Sequence, residues 1–593
     1  MTDYDHTRRC LHAAFHLTLK SLKDTHMKKY IKILILSSLI FAGCQKLDLN
    51  PLSEGSSENW YSNEQEFELA LNELYRPDLW YVEGARVYNT DRFTDDWNQR
   101  EYLYDYVAGT ITSDWADSKN TWINTYKGIA RANTVLSKID DARGKIPEGK
   151  LEQFKGEAAF FRASFYSYLI FLYGDVPLVT KNITIDEAFE TGRTDKDVIL
   201  QQIYNDYDTA AKYLPETPSG SAQRVTKGAA YAFKARTATW MLDYQTAKDA
   251  AGKCIDLGTY SLDPDYGRLF LASTNSSPEY IFVIPKSIEL TGSATLSTTS
   301  FIPRYVGGTS TAQPSWELLC AYTCTDGLPI DQSDLYDPQH PFQNRDPRLP
   351  ETIVQFGTPH LGYIYDPGAK QVLELSTGEM VDNKETQFSS QFASYNGLDL
   401  KKGVDESWVD DKKADPNIII MRYADVLLMY AEAKMELNEI DQSVLDALNQ
   451  VRARAYKVSP EATSAYPAIT ETDQGKLRTI IRTERHVELA WENRRYFDLI
   501  RWKLAETVLS RPVVALPQKE GLAANISSGD YFFPKNVLPD VDENGLVDLQ
   551  PLINTGKVRV VTNRSFQTKE YLWPIPTEET DINENLLPNN PGY

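Results

Sequence analysis

The chain has 593 residues, with 62 lysines and arginines against 83 aspartates and glutamates, and a formal net charge of −21. This length allows a large hydrophobic core. So acidic a protein is repelled by nucleic acid and by anionic lipid surfaces, which excludes a nucleic-acid-binding role and membrane attachment through charge.

The first element in the chain is a leader that ends at a cysteine. A basic start, "MKKYIK" from Met27, precedes the apolar run Ile31–Ala42, which is shorter than the about 20 residues that cross a bilayer. Small residues then lead to Cys44. This order predicts a lipoprotein signal peptide over residues 27–43, with Cys44 as the lipidated N-terminus of the mature protein. The alternative is a buried cysteine at the end of a core strand.

Two further segments follow from that prediction. A signal that starts at Met27 needs nothing before it, so residues 1–26 are interpreted as a non-native upstream extension. The polar stretch 44–60 contains Pro51 and Gly55 and predicts a flexible tether to the membrane. No later stretch is long and apolar enough to span a bilayer.

The next region, residues 61–258, is predicted to be helical. In "GEAAFFRASFYSYLIFLYGDVPLV" apolar residues recur at three- and four-residue steps and also occupy the opposite side, which predicts a helix packed on all sides. Similar patterns predict further helices at 122–139, 197–214, 226–244, 244–258, 422–438 and 445–455. Alanines at the expected crossing points favour an all-α-dominated, tetratricopeptide-like stack with degenerate repeats.

Between residues 259 and 415 the helical period fades, and Gly, Pro, Ser, Thr and Tyr dominate. We expect a long, irregular, loop-rich insertion there, within a C-terminal region that spans 259–593. Loops of this length are usually functional or disordered. The remaining cysteines, Cys254, Cys320 and Cys324, show neither metal-ligand spacing nor an even-numbered framework. We predict no metal and no cofactor.

Several strings occur in the order of one known family. They are "NTYKGIARANTVL", the helix quoted above, "CTDGLPI", "NRDPRL", "IIIMRYADVLLMYAEA", "LNQVRARA", "RTERHVELAWENRRYFDLIRW" and "YLWPIPTEETDINENLLPNNPGY". Together with the lipid-cysteine leader they resemble the SusD/RagB family of outer-membrane lipoproteins from Bacteroidetes. The resemblance implies four tetratricopeptide-like helix pairs and a surface nutrient-binding role beside a SusC-like TonB-dependent transporter.

The densest charge cluster is the string "RTERHVELAWENRRYFDLIRW". Glu484, Glu488 and Glu492 lie four residues apart, with several arginines beside them. Adjacent guanidinium groups keep carboxylates ionised, and a glycosidase needs its two carboxyl groups on opposite sides of a sugar. We therefore interpret the cluster as a structural ion network and predict no catalytic residues. The histidines His340 and His360 are interpreted as ordinary surface or packed residues, as is His486.

Aromatic residues outside helical spacing form two clusters, at 79–107 and 301–316. Sugars have apolar C–H faces that suit flat rings and hydroxyl rims that suit Asn, Asp, Gln and Arg. The predicted ligand-binding residues are Trp80, Tyr81, Tyr88, Arg92, Trp97, Asn98, Tyr102, Arg304 and Tyr305. The adjacent Asp95 and Asp96 lack the spacing of a calcium loop, so we predict no cation site there.

These features favour a lipid-anchored protein of the outer membrane that captures an oligosaccharide and passes it to the transporter. Two alternatives stay open. A tetratricopeptide-like stack also suits a peptide-binding surface lipoprotein of the RagB type. A surface glycoside hydrolase would need a separated carboxylate pair in the insertion, for example among Asp326, Asp331 and Asp334.

Overall fold

The computed structural model describes residues 60–83, 89–100, 102–217, 224–274, 276–287, 296–388 and 395–593. Residues 61–593 form one compact unit. The predicted signal peptide, the lipidation of Cys44, and nearly all of the tether lie outside the described residues. A search of the described residues found no helix with the length and apolarity that a membrane crossing requires.

The described residues before the insertion are mainly helical. The helices are α1 (Glu64–Asn72), α2 (Asp105–Ala108), α3 (Ala116–Lys138), α4 (Glu148–Tyr173), α5 (Ile185–Glu190), α6 (Lys196–Tyr213), α7 (Lys227–Trp240) and α8 (Tyr244–Asp256). Short 3₁₀ turns at Pro77–Trp80 and Asp91–Phe93 carry two of the predicted ligand residues, Trp80 and Arg92. The observed bounds of α3, α6, α7 and α8 agree with the predicted helices to within a few residues, except that α3 begins earlier.

Beyond residue 258 the helices are interspersed with strands. They are α9 (Trp316–Ala321), α10 (Leu349–Thr352), α11 (Tyr423–Glu436), α12 (Gln442–Ala455), α13 (Gln474–Glu488), α14 (Arg495–Arg501), α15 (Ala505–Val508), α16 (Lys519–Ser528), α17 (Gln550–Asn554) and α18 (Thr577–Ile582).

The long helices form a stack in which neighbours in space are mostly neighbours in sequence. Helix α3 packs on α4, α4 on α6, α6 on α7, α7 on α8, α8 on α11, and α11 on α12 and α13. Helix α4 is buried on all sides from Ala158 to Tyr173, as its sequence predicts. At Gly128 of α3 a Cβ atom would lie 2.4 Å from the Phe165 ring, so only glycine allows α3 to approach α4 this closely. The predicted all-α, tetratricopeptide-like fold is confirmed.

The strands are short and pair antiparallel. They are β1 (Trp97–Gln99), β2 (Tyr280–Ile284), β3 (Leu296–Ser297), β4 (Ala312–Pro314), β5 (Thr358–His360), β6 (Tyr363–Tyr365), β7 (Gln371–Glu374), β8 (Glu379–Asp382), β9 (Lys413–Ala414), β10 (Ile418–Arg422), β11 (Pro512–Ala515), β12 (Asp540–Val541), β13 (Val547–Asp548) and β14 (Arg559–Asn563). Strands β5 to β8 form a four-stranded meander, and the others pair two by two, as β1–β4, β2–β10, β3–β9, β11–β14 and β12–β13.

The insertion at 259–415 is more ordered than its composition suggests. Strand β2 pairs with β10, so both ends of the insertion return to the point where α11 resumes the stack. A hydrophobic core separate from that of the stack includes Trp316, Trp408, Phe532 and Phe533. The insertion and part of the C-terminal region therefore bury apolar surface together and form a second layer on the stack. The boundary at 258/259 stays a prediction.

Candidate functional site

The two aromatic clusters predicted from the sequence lie against each other. Strand β1 pairs with β4, which places Trp97 opposite Pro314 and Asn98 opposite Gln313. Two backbone hydrogen bonds extend the pairing, from Arg100 N to Thr311 O at 2.9 Å and from Ser315 N to Asp96 O at 3.0 Å. Residues more than 200 positions apart in the chain therefore lie side by side in one region of the structure.

Trp97 lies in this region but offers little surface to a ligand. One face of its indole stacks on Trp491, with ring centroids 4.7 Å apart and planes 19° apart. The ring of Phe301 packs edge-on against it at 6.0 Å. Only 8% of Trp97 is accessible to solvent. Trp97 thus belongs largely to the second core, and a ligand would reach no more than a narrow part of it.

Tyr102 and Tyr104, which follow Trp97 in the chain, offer a more accessible aromatic surface. Tyr102 is 54% exposed and meets Tyr104 edge-to-face, with ring centroids 5.3 Å apart. The guanidinium of Arg92 lies over the Tyr104 ring, 4.9 Å from its centroid. Such a cation–π contact fixes the orientation of the ring and leaves its edge available. Tyr102 and Tyr104 thus form an aromatic surface, and the Arg92 guanidinium packs against its Tyr104 ring.

Arg92 is itself fixed by a carboxylate at the start of α3. Its Nη2 donates to Asp117 Oδ1 at 2.7 Å, and the Tyr81 hydroxyl donates to the same oxygen at 3.0 Å. Burial, together with the Asp117 charge, raises the pKa of Tyr81, so the hydroxyl stays protonated and remains a donor. Tyr81, Asp117, Arg92, Tyr104 and Tyr102 are connected in this order, and we call them the aromatic–polar strip.

Arg304 and Tyr305 lie in a 3₁₀ turn at Arg304–Val306. The backbone N and the Nη1 of Arg304 donate to the buried Glu385 at 2.6 and 2.5 Å. The Tyr305 ring contacts Tyr363 of β6, with centroids 4.4 Å apart. The Tyr305 hydroxyl and the Nδ2 of Asn98 are buried, and neither has a hydrogen-bond partner in the part of the chain that the structure describes.

The prediction that Trp80 binds the ligand is wrong. It is 1% exposed, and its indole packs among Phe161 and Phe165 of α4, Phe233 of α7 and Phe282 of β2. Its Nε1 donates to the Leu74 carbonyl at 3.0 Å. The ring is therefore a core residue of the stack and is not accessible to a ligand. Tyr88, another predicted residue, lies outside the described residues.

Comparison with known proteins identifies the family. A model described as the SusD family matches residues 278–593, more than half of the chain. The chain belongs to the SusD family. A second model, described as starch-binding associating with outer membrane, matches residues 58–238.

Alignments with similar proteins cover 80% to 90% of this SusD-family chain. A curated relative, SusD-like protein P25 of Formosa agariphila, is 26% identical over 504 residues, which cover 80% of this chain and 90% of the relative. The crystal structure of a SusD-like carbohydrate-binding protein from Bacteroides fragilis is 30% identical, covers 88% of this chain and 99% of its own, and superposes with a TM-score of 0.71. A laminarin-binding SusD-like protein is 20% identical, with a TM-score of 0.59 and coverage of 90% and 100%.

The carboxylates of the charge cluster form a buried ion network in this SusD-family protein, as predicted. Arg348 donates to Glu484 at 2.7 Å and to Glu488 at 2.8 Å, while Arg422 donates to Glu488 at 2.7 Å and to Glu492 at 2.6 Å. Burial alone would raise the pKa of Glu488, but nearby guanidinium groups, including those of Arg422 and Arg348, lower it to about 2. A carboxyl group held ionised in this way is unsuited to general acid catalysis.

The other acidic candidates also have internal partners. Asp95 forms a two-pronged ion pair with Arg495 at 2.9 and 2.7 Å, and Asp96 lies 2.6 Å from His486 Nε2. In the insertion, Asp326 accepts from Leu328 N and Ser333 Oγ, and Asp331 accepts from Val541 N. These bonds stabilise loops. Asp334 is exposed to solvent.

Three residues of the region were missed as site residues. Tyr104 belongs to the same aromatic run as Tyr102, so the sequence contained a sufficient indication. Asp117 lies in the first turn of α3, where an acidic residue is common and carries no functional indication of its own. Trp491 lies in the charged string, and only its contact with Trp97 connects it to the region.

Proposed function

We propose that this SusD-family protein binds an oligosaccharide at the aromatic–polar strip and is a binding protein rather than an enzyme. Three observations support the proposal. One family model is described as starch-binding, the Bacteroides fragilis relative is described as carbohydrate-binding, and the fold matches that of a laminarin-binding protein. The observation that carries the proposal is the exposed Tyr102 ring beside Tyr104 and Arg92.

The proposed recognition divides between two kinds of contact. The exposed Tyr102 ring takes the C–H face of a sugar, since an aromatic ring offers apolar area at a low cost in conformational entropy. The Tyr81 hydroxyl and the carboxylate of Asp117 lie at hydrogen-bonding distance from each other. Both form hydrogen bonds with the hydroxyl groups of the sugar. Each contact is weak, and affinity increases when several sugar units are engaged together.

The test is affinity gel electrophoresis of the protein in soluble polysaccharides, starting with starch and laminarin. Tyr102→Ala removes an exposed ring without disturbing the core, and we expect about a tenfold loss of affinity, typical of a central aromatic contact. Phe189→Ala, which removes a similarly exposed ring from α5, is the matched control and should be retarded like the wild type. Unchanged retardation of Tyr102→Ala would contradict the strip as the site. Binding of peptides but no glycan would favour the RagB-type alternative.

We further propose that the mature protein is anchored to the outer membrane through a lipid on Cys44 and delivers its ligand to a SusC-like TonB-dependent transporter. The leader sequence supports the anchor, and the association of the second family model with the outer membrane supports the location. Labelled palmitate should be incorporated into the wild type and lost in Cys44→Ala. Retention of label in that variant, or recovery of the wild type in the cytosol, would contradict the proposal.

A further inference from the structure

A groove that shares no residue with the aromatic–polar strip lies between α3, the segment 177–183, α5 and α18. Its volume is about 550 Å³, and most of its lining is apolar. The principal apolar residues are Trp122, Ile123, Tyr126, Val179, Phe189 and Ile582. Trp122, Ile123 and Tyr126 come from one side of α3, so a long, well-packed helix forms one wall of the groove.

The rim of this groove, called here the α5 groove, carries apolar side chains that are left in solvent. Phe189 is 47% exposed and Ile582 is 58% exposed. None of the residues of α5 is buried. The helix is held instead by its backbone, since Asn583 Nδ2 donates to the Ala188 carbonyl at 3.2 Å and to the Thr191 carbonyl at 2.9 Å. Exposed apolar side chains grouped at a groove are typical of a protein interaction site.

The charges around the α5 groove are mainly acidic. Exposed carboxylates on and beside α5 and α18 are Asp186, Glu187, Glu190, Glu578, Asp581 and Glu584. Nearby cations include Lys119, which pairs with Glu578, and Lys127 and Lys181, which line the groove together with Glu579. Carboxylates outnumber cations on and beside α5 and α18, and this excess favours a partner whose apolar side chains are flanked by positive charge.

Glu579 lies in the lining itself, where it is half-buried, and it forms no ion pair within 4.0 Å among the described residues. Burial raises its pKa, while a hydrogen bond from Trp122 and the charge of Lys119 lower it. A cation placed in the groove by a partner would restore the solvation that Glu579 loses. This carboxylate thus defines where the positive group of a partner belongs.

We propose that the α5 groove binds a short segment of a partner protein that inserts bulky apolar side chains against Phe189 and Ile582 and pairs a lysine or arginine with Glu579. The proposal goes beyond oligosaccharide binding and does not depend on it.

The test uses two fluorescein-labelled peptides of about 16 residues, long enough to form a helix on a surface. Both have leucine on one face, and the remaining positions are lysine in one and glutamate in the other. Anisotropy titrations with the full mature protein should show saturable binding of the leucine–lysine peptide and none of the leucine–glutamate peptide. Phe189→Ala with Ile582→Ala should weaken binding about tenfold or more, and Glu579→Gln about threefold or more.

Tyr102→Ala is the matched control, and it should bind the leucine–lysine peptide like the wild type. Circular dichroism melts identify any variant that loses its fold. Equal binding of both peptides, or equal binding by the groove variants and the wild type, would overturn the proposal. Saturable binding of laurate without peptide binding would also overturn it. So would a dimer, seen by sedimentation velocity, that the groove variants abolish, because a second copy would then occupy the groove.

Discussion

Three aromatic residues from one short stretch of sequence have three different environments. Trp80 is enclosed by rings of α4 and α7, Trp97 is stacked on Trp491 with a narrow accessible part, and Tyr102 stands largely in solvent. Their residue types and spacing are equally compatible with sugar binding. The contacts made by distant helices decide which of them a ligand can reach, so at the residue scale burial separates core aromatics from candidate binding aromatics.

The first prediction concerns Trp80. Replacing it with alanine removes a fully buried indole and leaves a cavity among the rings around it, so we expect the free energy of unfolding to fall by about 3–5 kcal/mol. Tyr102→Ala, at an exposed position, should change it by less than about 0.5 kcal/mol. Urea unfolding followed by intrinsic fluorescence measures both. Similar small losses for the two variants would show that Trp80 is not part of the core.

A second prediction at this scale concerns Glu570. The side chain is buried, and burial raises its pKa from 4.5 to about 7, against the lowering effect of the hydrogen bond from Gln567 N. Because the folded pKa is the higher one, the contribution of Glu570 to stability is complete below pH 4.5 and is lost as the pH rises through 7. Glu570→Gln should therefore gain about 3 kcal/mol relative to the wild type between pH 4.5 and pH 8. Urea titrations at the two pH values test this.

The exposed Glu584 gives the matched control for that measurement. Glu584→Gln should leave the stability difference between the two pH values as it is in the wild type, since the side chain remains in solvent. If Glu570→Gln and Glu584→Gln behaved alike, the buried carboxyl group would not be the source of the pH dependence.

At the scale of elements, α4 shows how one helix is fixed within the stack. It is apolar on nearly every side, so hydrophobic burial holds it in the interior but specifies its rotation only weakly. Arg162 fixes the rotation of α4. Its guanidinium donates to Asp206 of α6 at 2.8 and 2.7 Å, to Asn133 Oδ1 of α3 at 2.9 Å, and to the Thr180 carbonyl at 2.9 Å. One buried cation thereby aligns three helices.

The third prediction tests this alignment. Asp206→Ala leaves the buried Arg162 without its counter-ion and should lower the free energy of unfolding by about 3–5 kcal/mol. Adding Arg162→Leu removes the unpaired charge, so the double variant should be more stable than Asp206→Ala alone. Urea unfolding of the four members of this double-mutant cycle gives the coupling energy. Strict additivity of the two single losses would mean that the pair does not align the helices.

At the scale of the whole molecule, buried charges join the insertion to the stack. Arg348 and Lys402 come from the insertion side and reach Glu488 and Glu492, while Arg422 at the end of β10 also binds Glu279 at 2.6 Å. A polar network of this kind demands that every partner be present, because an unpaired buried charge is costly. The network therefore joins the two layers, although each has its own hydrophobic core.

The fourth prediction follows from the carboxylates of this network and of a second buried cluster, in which Glu432 and Asp498 pair with Arg485 and Arg501. Although burial raises them, nearby guanidinium groups hold the pKa of Glu488 at about 2 and those of Glu432 and Asp498 below their usual values. Folded pKa values that are lowered give stability above the unfolded pKa, which is 4.5 for the glutamates and 3.8 for Asp498, and this stability is lost as the pH falls toward 2. Urea titrations should show a steep loss between pH 5 and pH 3. We expect 0.5 M sodium chloride to change the loss little, because buried pairs are weakly screened.

Much of the fold followed from the sequence by itself. The apolar pattern predicted α4 as an interior helix and gave the other long helices nearly the right bounds, because helical periodicity is a local property of the chain. The charged string also predicted an ion network, although the arginines that pair with its glutamates, such as Arg348 and Arg422, come from distant parts of the chain. The site did not follow in this way. The contacts that bury Trp80, stack Trp97 on Trp491 and fix Arg92 on Asp117 join residues far apart in sequence, and only the tertiary structure decides exposure.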